Sequence, residues 1–321
     1  MEKALITGID GFAATHLAEH IMHSTGCEIF GTTRRQGPQK KGRLSTLRCD
    51  LLEPESLDIA LAKALPDRIF HLAGQPSVSD SWNDIKGTFD ANVIGTANLF
   101  EAASRRCPHA RIVLASSSEV YGEGGADSAP VAEDHALSPL NPYGVSKASA
   151  EMLAGIFINA KGLDIVIARA FPHTGPESRI KFAFPSWAAQ LAQIRAGKNT
   201  EAKIRAGALE NVRELLDVRD VVRAYWALSQ RGRCGEAYNI CSGTAIPIGE
   251  ALGMLVELSG TGTEIVRDDS VIRPADVKSL RGDCSKIFSH TGWKAQIGMK
   301  ETLSSLLEYW NGRAEKESAG K

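Results

Sequence analysis

The chain has 321 residues, 43% of them hydrophobic and 23% charged, with a formal net charge of −1. That length holds one large domain or two modest ones and buries most of its apolar surface without staples. A near-neutral balance without a long basic run excludes a phosphate-tracking surface, so nucleic acid is not an expected partner.

In chain order, β-rich runs are predicted at Lys3–Thr7, Glu28–Thr32, Arg68–Leu72, Arg111–Ser116 and Asp164–Arg169. Helical patterns near 13–24, 55–64, 83–105 and 143–161 lie between them. Such alternation predicts an α/β fold, a doubly wound parallel sheet with helices on both faces. Ligands of these sheets bind beyond the carboxyl ends of the strands. After Pro172, Gly175 and Pro176, helices are expected near 183–196, 219–230, 248–259 and 300–312. The division expected is a dinucleotide-binding domain over 1–172, a smaller substrate-binding lobe over 173–312, and a frayed tail over 313–321. Val218–Leu228 and Ala237–Cys241 are candidates to return to the first domain.

No stretch reaches ~18 continuous apolar residues, so no membrane span is expected. The opening run Ala4-Leu5-Ile6 is too short for a signal-peptide core. The six cysteines form no CxxC pair and read as reduced thiols of a cytoplasmic protein.

Gly8-Ile9-Asp10-Gly11-Phe12-Ala13-Ala14 joins the first strand to the first helix. Gly8 permits a tight turn. Gly11 lets the backbone approach a pyrophosphate at the helix N-terminus, where free N–H groups and the dipole favour an anion. Ala14 stands at the third glycine position and is small enough for close helix–strand packing. At the end of the second strand an acid would bond the 2′-hydroxyl of NAD. This chain instead reads Thr32-Thr33-Arg34-Arg35, which suits a 2′-phosphate, so NADP is favoured, with NAD the alternative. Asp50 is placed to accept from the adenine amino group.

Asn141-Pro142-Tyr143-Gly144-Val145-Ser146-Lys147 reads as a capped helix start. Tyr143 and Lys147, four apart, share a face. A phenol with a pKa of about 10 needs help to act as a base at neutral pH. A nearby ammonium and a cationic nicotinamide both favour the phenolate. Ser117, leaving the strand end Ala115–Ser118, is placed to bond the reacting oxygen.

Taken together, Gly8/Gly11, Leu72-Ala73-Gly74, Asn92-Val93-Ile94-Gly95-Thr96, the Ser117 strand end and Tyr143/Lys147 resemble the extended short-chain dehydrogenase/reductase family. The likeness continues through Arg213–Asp220 and Arg273–Asp276. It is strongest to the branch of GDP-mannose 4,6-dehydratases and GDP-4-dehydro-6-deoxy-mannose reductases. The resemblance implies a Rossmann-like fold, a nucleotide-sugar substrate, and a homodimer packed through the helices near 83–105 and 143–161. It carries Phe12, Leu51, Leu72 and Ala73 into the cofactor site. It places Arg213 and Arg273 on the substrate diphosphate, with Ser77 and His173 lining the pocket. One departure stands out: Phe171-Pro172-His173 replaces the usual Phe-Asn-His, removing an amide expected near the substrate phosphates.

Glu119 leaves the reaction open. A 4,6-dehydratase needs an acid/base there for the C5 proton and the departing C6 water, whereas a reductase needs only Ser117, Tyr143, Lys147 and exchangeable NADPH. Reductase is the leading reading, dehydratase or epimerase the alternative, and a non-catalytic cofactor sensor the remote one. His16, His20 and His23 share a helix face that is read as solvated, so no metal is expected. Glu133-Asp134-His135 is read as a surface loop, and Trp187, Trp226 and Trp310 as core or interface residues.

Overall fold

The computed structural model describes residues 1–35, 40–124, 129–271 and 277–319. Its first strand, β1 (Lys3–Thr7), is an apolar run with Ala4, Leu5 and Ile6 buried on both faces, as a central parallel strand requires. The glycine turn leads into α1 (Phe12–Ser24), whose Ala14, Leu17, Ala18 and Ile21 recur at helical spacing and form its buried face. β2 (Glu28–Thr33) follows, then the short β3 (Lys40–Lys41) and β4 (Leu44–Arg48). Pro54 opens α2 (Pro54–Ala64), where its missing N–H is harmless, and β5 (Arg68–His71) comes next.

The single helix expected over 83–105 is instead α3 (Val78–Asn83), α4 (Ile85–Phe89), a π turn at Asp90–Ile94 and α5 (Gly95–Arg106). Asp84 both ends α3 and caps α4 by accepting from Gly87 N at 2.8 Å. β6 (Arg111–Ser117) then leads into a 3₁₀ turn at Ser118–Tyr121. Asn141 caps α6 (Pro142–Lys161), which stops at Gly162 in the left-handed region, φ 68°. β7 (Asp164–Ala170) completes the first half.

The second half holds β8 (His173–Thr174), α7 (Ala183–Arg195), β9 (Lys203–Ala206), β10 (Val212–Arg213), β11 (Leu216–Asp217) and α8 (Val218–Arg231). After it come β12 (Ala237–Ile240), β13 (Ile246–Pro247), α9 (Ile248–Ser259), β14 (Glu264–Arg267), β15 (Ser279–Leu280), α10 (Ser285–Thr291) and α11 (Met299–Ala319).

The main sheet has the order β12-β7-β6-β5-β1-β2-β4-β3, parallel except for the β3–β4 pair. The chain winds outward from β1 through β2 to β4, then returns to β5 on the other side of β1. The switch point therefore lies between β1 and β5, where the glycine turn meets Ala73. β12 comes back from the second half to pair with β7, and α8 packs on α1. Two apolar clusters cover the two faces of the sheet. A third, built on Trp187, Leu191, Leu252, Leu255, Leu303 and Leu306, is a separate core of α7, α9 and α11.

The frayed tail is corrected: α11 runs unbroken to Ala319. Ala314 is buried, Lys198 Nζ donates to its carbonyl at 3.0 Å, and Lys198 also pairs with Glu317. The histidine face of α1 is corrected too. His16 is packed edge-on against Phe12 and bonded through Nε2 to Pro176 O at 2.9 Å, so it joins α1 to the second half rather than facing water. Glu133 is likewise no simple loop acid, since its carboxylate accepts from Asn239 N at 2.7 Å and its carbonyl from Arg169 at 2.9 Å.

Candidate active site

The glycine turn is built to be thin. Gly8 has φ 70°, and a Cβ there would lie 2.9 Å from Ala73 Cα, so β1 and the end of β5 touch backbone to backbone. Thr7 Oγ1 accepts from both Leu72 N (3.1 Å) and Ala73 N (3.0 Å), fixing that approach. Gly11 caps α1 without any side-chain hydrogen bond, which leaves the first-turn amides and the positive end of the helix for an anion. Phe12 opens the helix, and Ala14 is buried against the strand. This cradle fits a dinucleotide pyrophosphate.

At the ribose end the structure adds an acid that strand-end reading missed. Asp10, inside the glycine turn, accepts from the Thr33 hydroxyl and pairs with Arg35 at 3.7 Å. A cavity of about 260 Å³ beside it is lined by Arg34, Arg48, Cys49, Asp50, Glu53 and Ser56. Asp50 Oδ1 accepts from Leu52 N at 3.0 Å, and Leu51 O accepts from Asn98 at 2.9 Å. Arg48 reaches this cavity because β4, a strand the alternation did not reveal, places it level with Thr33.

Ser117, Glu119, Tyr143 and Lys147 converge at the carboxyl end of β6. Ser117 Oγ accepts from Glu119 N at 3.2 Å and lies beside the Tyr143 phenol. Lys147 Nζ donates to Ala115 O at 2.8 Å and lies 5.9 Å from the Tyr143 ring. Glu119 Oε2 accepts from Asn141 Nδ2 at 2.8 Å, so the helix cap and this acid hold each other. A Cβ on Gly144 would come within 2.6 Å of Glu119 O, a second reason why the start of α6 sits so close.

The electrostatics at the start of α6 are set by burial. Burial pushes the Tyr143 phenol up to about 12, with the Glu119 charge adding and the Ser117 hydrogen bond opposing. The Lys147 ammonium and an oxidised nicotinamide, when bound, are the groups that would act in the opposite direction. Lys147 is pulled down to about 8 by burial, against the Glu151 carboxylate.

On the substrate side, Ser77 is buried and its hydroxyl accepts from Asp80 N at 3.2 Å as the cap of α3. His173 bonds Phe171 O through Nδ1 at 2.9 Å and stacks on Phe12 at 6.1 Å, which joins the pocket wall to the cofactor turn. Burial holds His173 below the usual histidine range, opposed by the Phe171 carbonyl. Arg213 is tied to the carbonyls of Val212 and Val277. Arg273 lies outside the described residues. Beside Arg213, the buried Glu214 accepts from Ser242 N, Gly243 N and Gly282 N, pinning three loop amides.

Sequence reasoning gave no role to three buried polar groups here, Asn92 having appeared only within a family motif. Asn92, aimed inward by the π turn, accepts from Gln75 N at 2.7 Å and donates to Ser146 Oγ at 2.9 Å. His71 bridges Thr7 and Thr96. Glu151 pairs with Arg169. The signal for Glu151 was available, because it continues the 143, 147 spacing by one more turn.

A family model described as GDP-mannose 4,6 dehydratase matches residues 5–306. GDP-6-deoxy-D-mannose reductase of Pseudomonas aeruginosa is 32% identical over 98% of this chain and 99% of its own. GDP-mannose 4,6-dehydratase of Yersinia enterocolitica is 26% identical over 96% of this chain and 93% of its own. The structure of RMD from Pseudomonas aeruginosa complexed with NADPH superposes with a TM-score of 0.87, at 32% identity, covering 98% of this chain and 100% of that one. On that full-length match, the chain belongs to the GDP-mannose 4,6-dehydratase family of extended short-chain dehydrogenases/reductases, NAD(P)-dependent enzymes of nucleotide-sugar chemistry.

Proposed function

We propose that this protein is an NADPH-dependent reductase of a GDP-linked 4-keto-6-deoxy sugar, of the GDP-4-dehydro-6-deoxy-mannose to GDP-rhamnose type. The observation that carries the reading is the convergence of Ser117, Tyr143 and Lys147 at the carboxyl end of β6, since reducing a ketone calls for a phenolic proton donor with a hydroxyl and an ammonium beside it. The full-length likeness to the reductase and to an NADPH complex supports it.

Gly8, Gly11, Phe12, Ala14, Leu72 and Ala73 would hold the pyrophosphate and nicotinamide half of NADPH, and Thr33, Arg34, Arg35, Asp50 and Leu51 the adenosine half. When bound, NADPH supplies the hydride for the ketone carbon. Ser117 bonds the ketone oxygen, and Tyr143 gives it the phenolic proton. Lys147 remains as ammonium to stabilise the tyrosinate left behind. Ser77, His173, Arg213 and Arg273 are the residues assigned to the substrate. NAD is the cofactor alternative, since Asp10 offers an acceptor next to Thr33 and Arg35. Two lobes dividing near residue 172, a cytoplasmic location consistent with six free cysteines, and a homodimer complete the reading.

The second reading, a 4,6-dehydratase, rests on Glu119 acting on Tyr143 and on the likeness to the Yersinia enzyme. One assay separates the two. Incubation with GDP-4-dehydro-6-deoxy-mannose and NADPH is expected to consume NADPH at 340 nm, with no turnover of GDP-mannose alone. Tyr143→Phe is expected to lower kcat by ~10²–10⁴-fold with NADPH binding retained. Conversion of GDP-mannose without net change in NADPH would establish the dehydratase, and binding without turnover a sensor.

A further inference from the structure

Tyr143, Lys147 and Glu151 occupy successive turns of one face of α6. The Glu151 carboxylate is buried and gripped bidentately by Arg169, with Nε at 3.0 and 3.1 Å from its two oxygens and Nη2 at 2.7 Å. It also accepts from the hydroxyl of Ser116, the residue before Ser117. Arg169 spends its remaining arm on Tyr121 OH and Glu133 O, both at 2.9 Å. Tyr121 in turn donates to Asn239 at 2.7 Å. The pair thus ties α6 to the ends of β6 and β7 directly behind Ser117.

A buried ion pair is a poor way to gain stability, because desolvating both charges offsets most of their attraction, and apolar residues of similar volume do as well. Its position suggests another use. The groups facing Lys147 are few. On α6 they are Tyr143 and Glu151. From β5 comes His71, held neutral by burial; from the π turn, the uncharged Asn92; from β6, the Ala115 carbonyl. Glu119, after β6, acts on Tyr143 rather than on Lys147. Among the described residues, Glu151 is the carboxylate that opposes the desolvation of Lys147.

We propose that Glu151, clamped by Arg169 and Ser116, is a positioning residue that holds the Tyr143–Lys147 face of α6 against the end of β6 and keeps Lys147 an ammonium at working pH. The proposal rests on the assignment of Tyr143 and Lys147 to the chemistry. It is tested by two readouts, only one of which needs turnover. The first is the titration of Lys147 by NMR of ¹³Cε-lysine-labelled protein, with the signal assigned by its loss in Lys147→Arg. The second is the pH profile of kcat with the keto sugar and NADPH. In Glu151→Gln the Lys147 midpoint is expected to fall by about one pH unit or more, because the carboxylate is gone and the Arg169 charge is uncompensated. The alkaline limb of kcat should move with it, KM for NADPH should stay within about threefold, and Glu151→Asp should recover part of the shift.

Glu151→Gln leaves a buried guanidinium unpaired, which threatens folding, so Glu151→Gln/Arg169→Met is made alongside. It is expected to regain thermal stability while the Lys147 midpoint stays below that of the wild type. A wild-type midpoint in whichever of these variants folds overturns the proposal and leaves the pair structural. Should wild type reduce no keto sugar, the functional reading fails, and the Lys147 titration still decides the role of Glu151.

Discussion

At the scale of single residues, His71 shows how hydrogen-bond arithmetic sets a protonation state. Thr96 Oγ1 donates to Asn92 O at 2.6 Å, so it accepts from His71 Nε2 at 3.0 Å. Thr7 Oγ1 already accepts from two amides, so its proton goes to His71 Nδ1 at 2.9 Å. A second ring proton would face the Thr7 proton with no acceptor. Burial, and then the Lys147 charge, accordingly hold His71 down to about 3. The unfolded chain binds a proton below about pH 6.5 that the folded one refuses until far lower. This stability is present above about 6.5 and is lost as pH falls toward 3. Urea unfolding between pH 6 and 4 should show His71→Asn shedding about 1.4 kcal/mol per pH unit of the wild-type slope. An unchanged slope would mean that His71 is not neutral in the fold.

Among elements, α11 carries the clearest lesson. The charged composition near the end suggests fraying, yet the helix packs on α7 and α9 through Leu303, Leu306 and Leu307 and is held further along by Lys198. Truncation after Gly312 removes the buried Ala314 and the Lys198–Glu317 pair. It is expected to lower Tm by a few degrees, on the order of 1–2 kcal/mol, without loss of NADPH binding, as followed by calorimetry and fluorescence. The π turn at Asp90–Ile94 was equally hidden. Its apolar spacing continues that of α5, and the displacement appears only where Asn92 reaches Gln75 and Ser146 across the site.

For the whole molecule, five exposed apolar residues gather on one surface while the others are spread over the chain. Val145, Met152 and Ile156 form a stripe on α6, beside Ile85 and Ile94 on the neighbouring α4 and π turn. A contiguous apolar face of this kind calls for a partner, and the two-helix surface matches the one through which a homodimer is proposed. Met152→Lys/Ile156→Lys is expected to run as a monomer by light scattering at concentrations where wild type is a dimer. A wild-type monomer at those concentrations, or a variant that stays dimeric, would remove this face from the assembly.

Local spacing was enough for β1, α1, β2, α2, β5, β6, α6 and β7, the glycine turn, the Ser117 strand end and the Tyr143/Lys147 pair, because each depends on residues within a few positions of one another. What needed the tertiary structure were matters of distant chain brought together. The return of Ala237–Cys241 to the sheet was expected, but its pairing with β7 was not, nor that Asp10 meets Thr33 and Arg35 or that Glu151 is locked by Arg169. The charge state of Tyr143 belongs here too. Its spacing to Lys147 gives only the neighbouring ammonium, whereas the upward push on the phenol comes from everything packed around it.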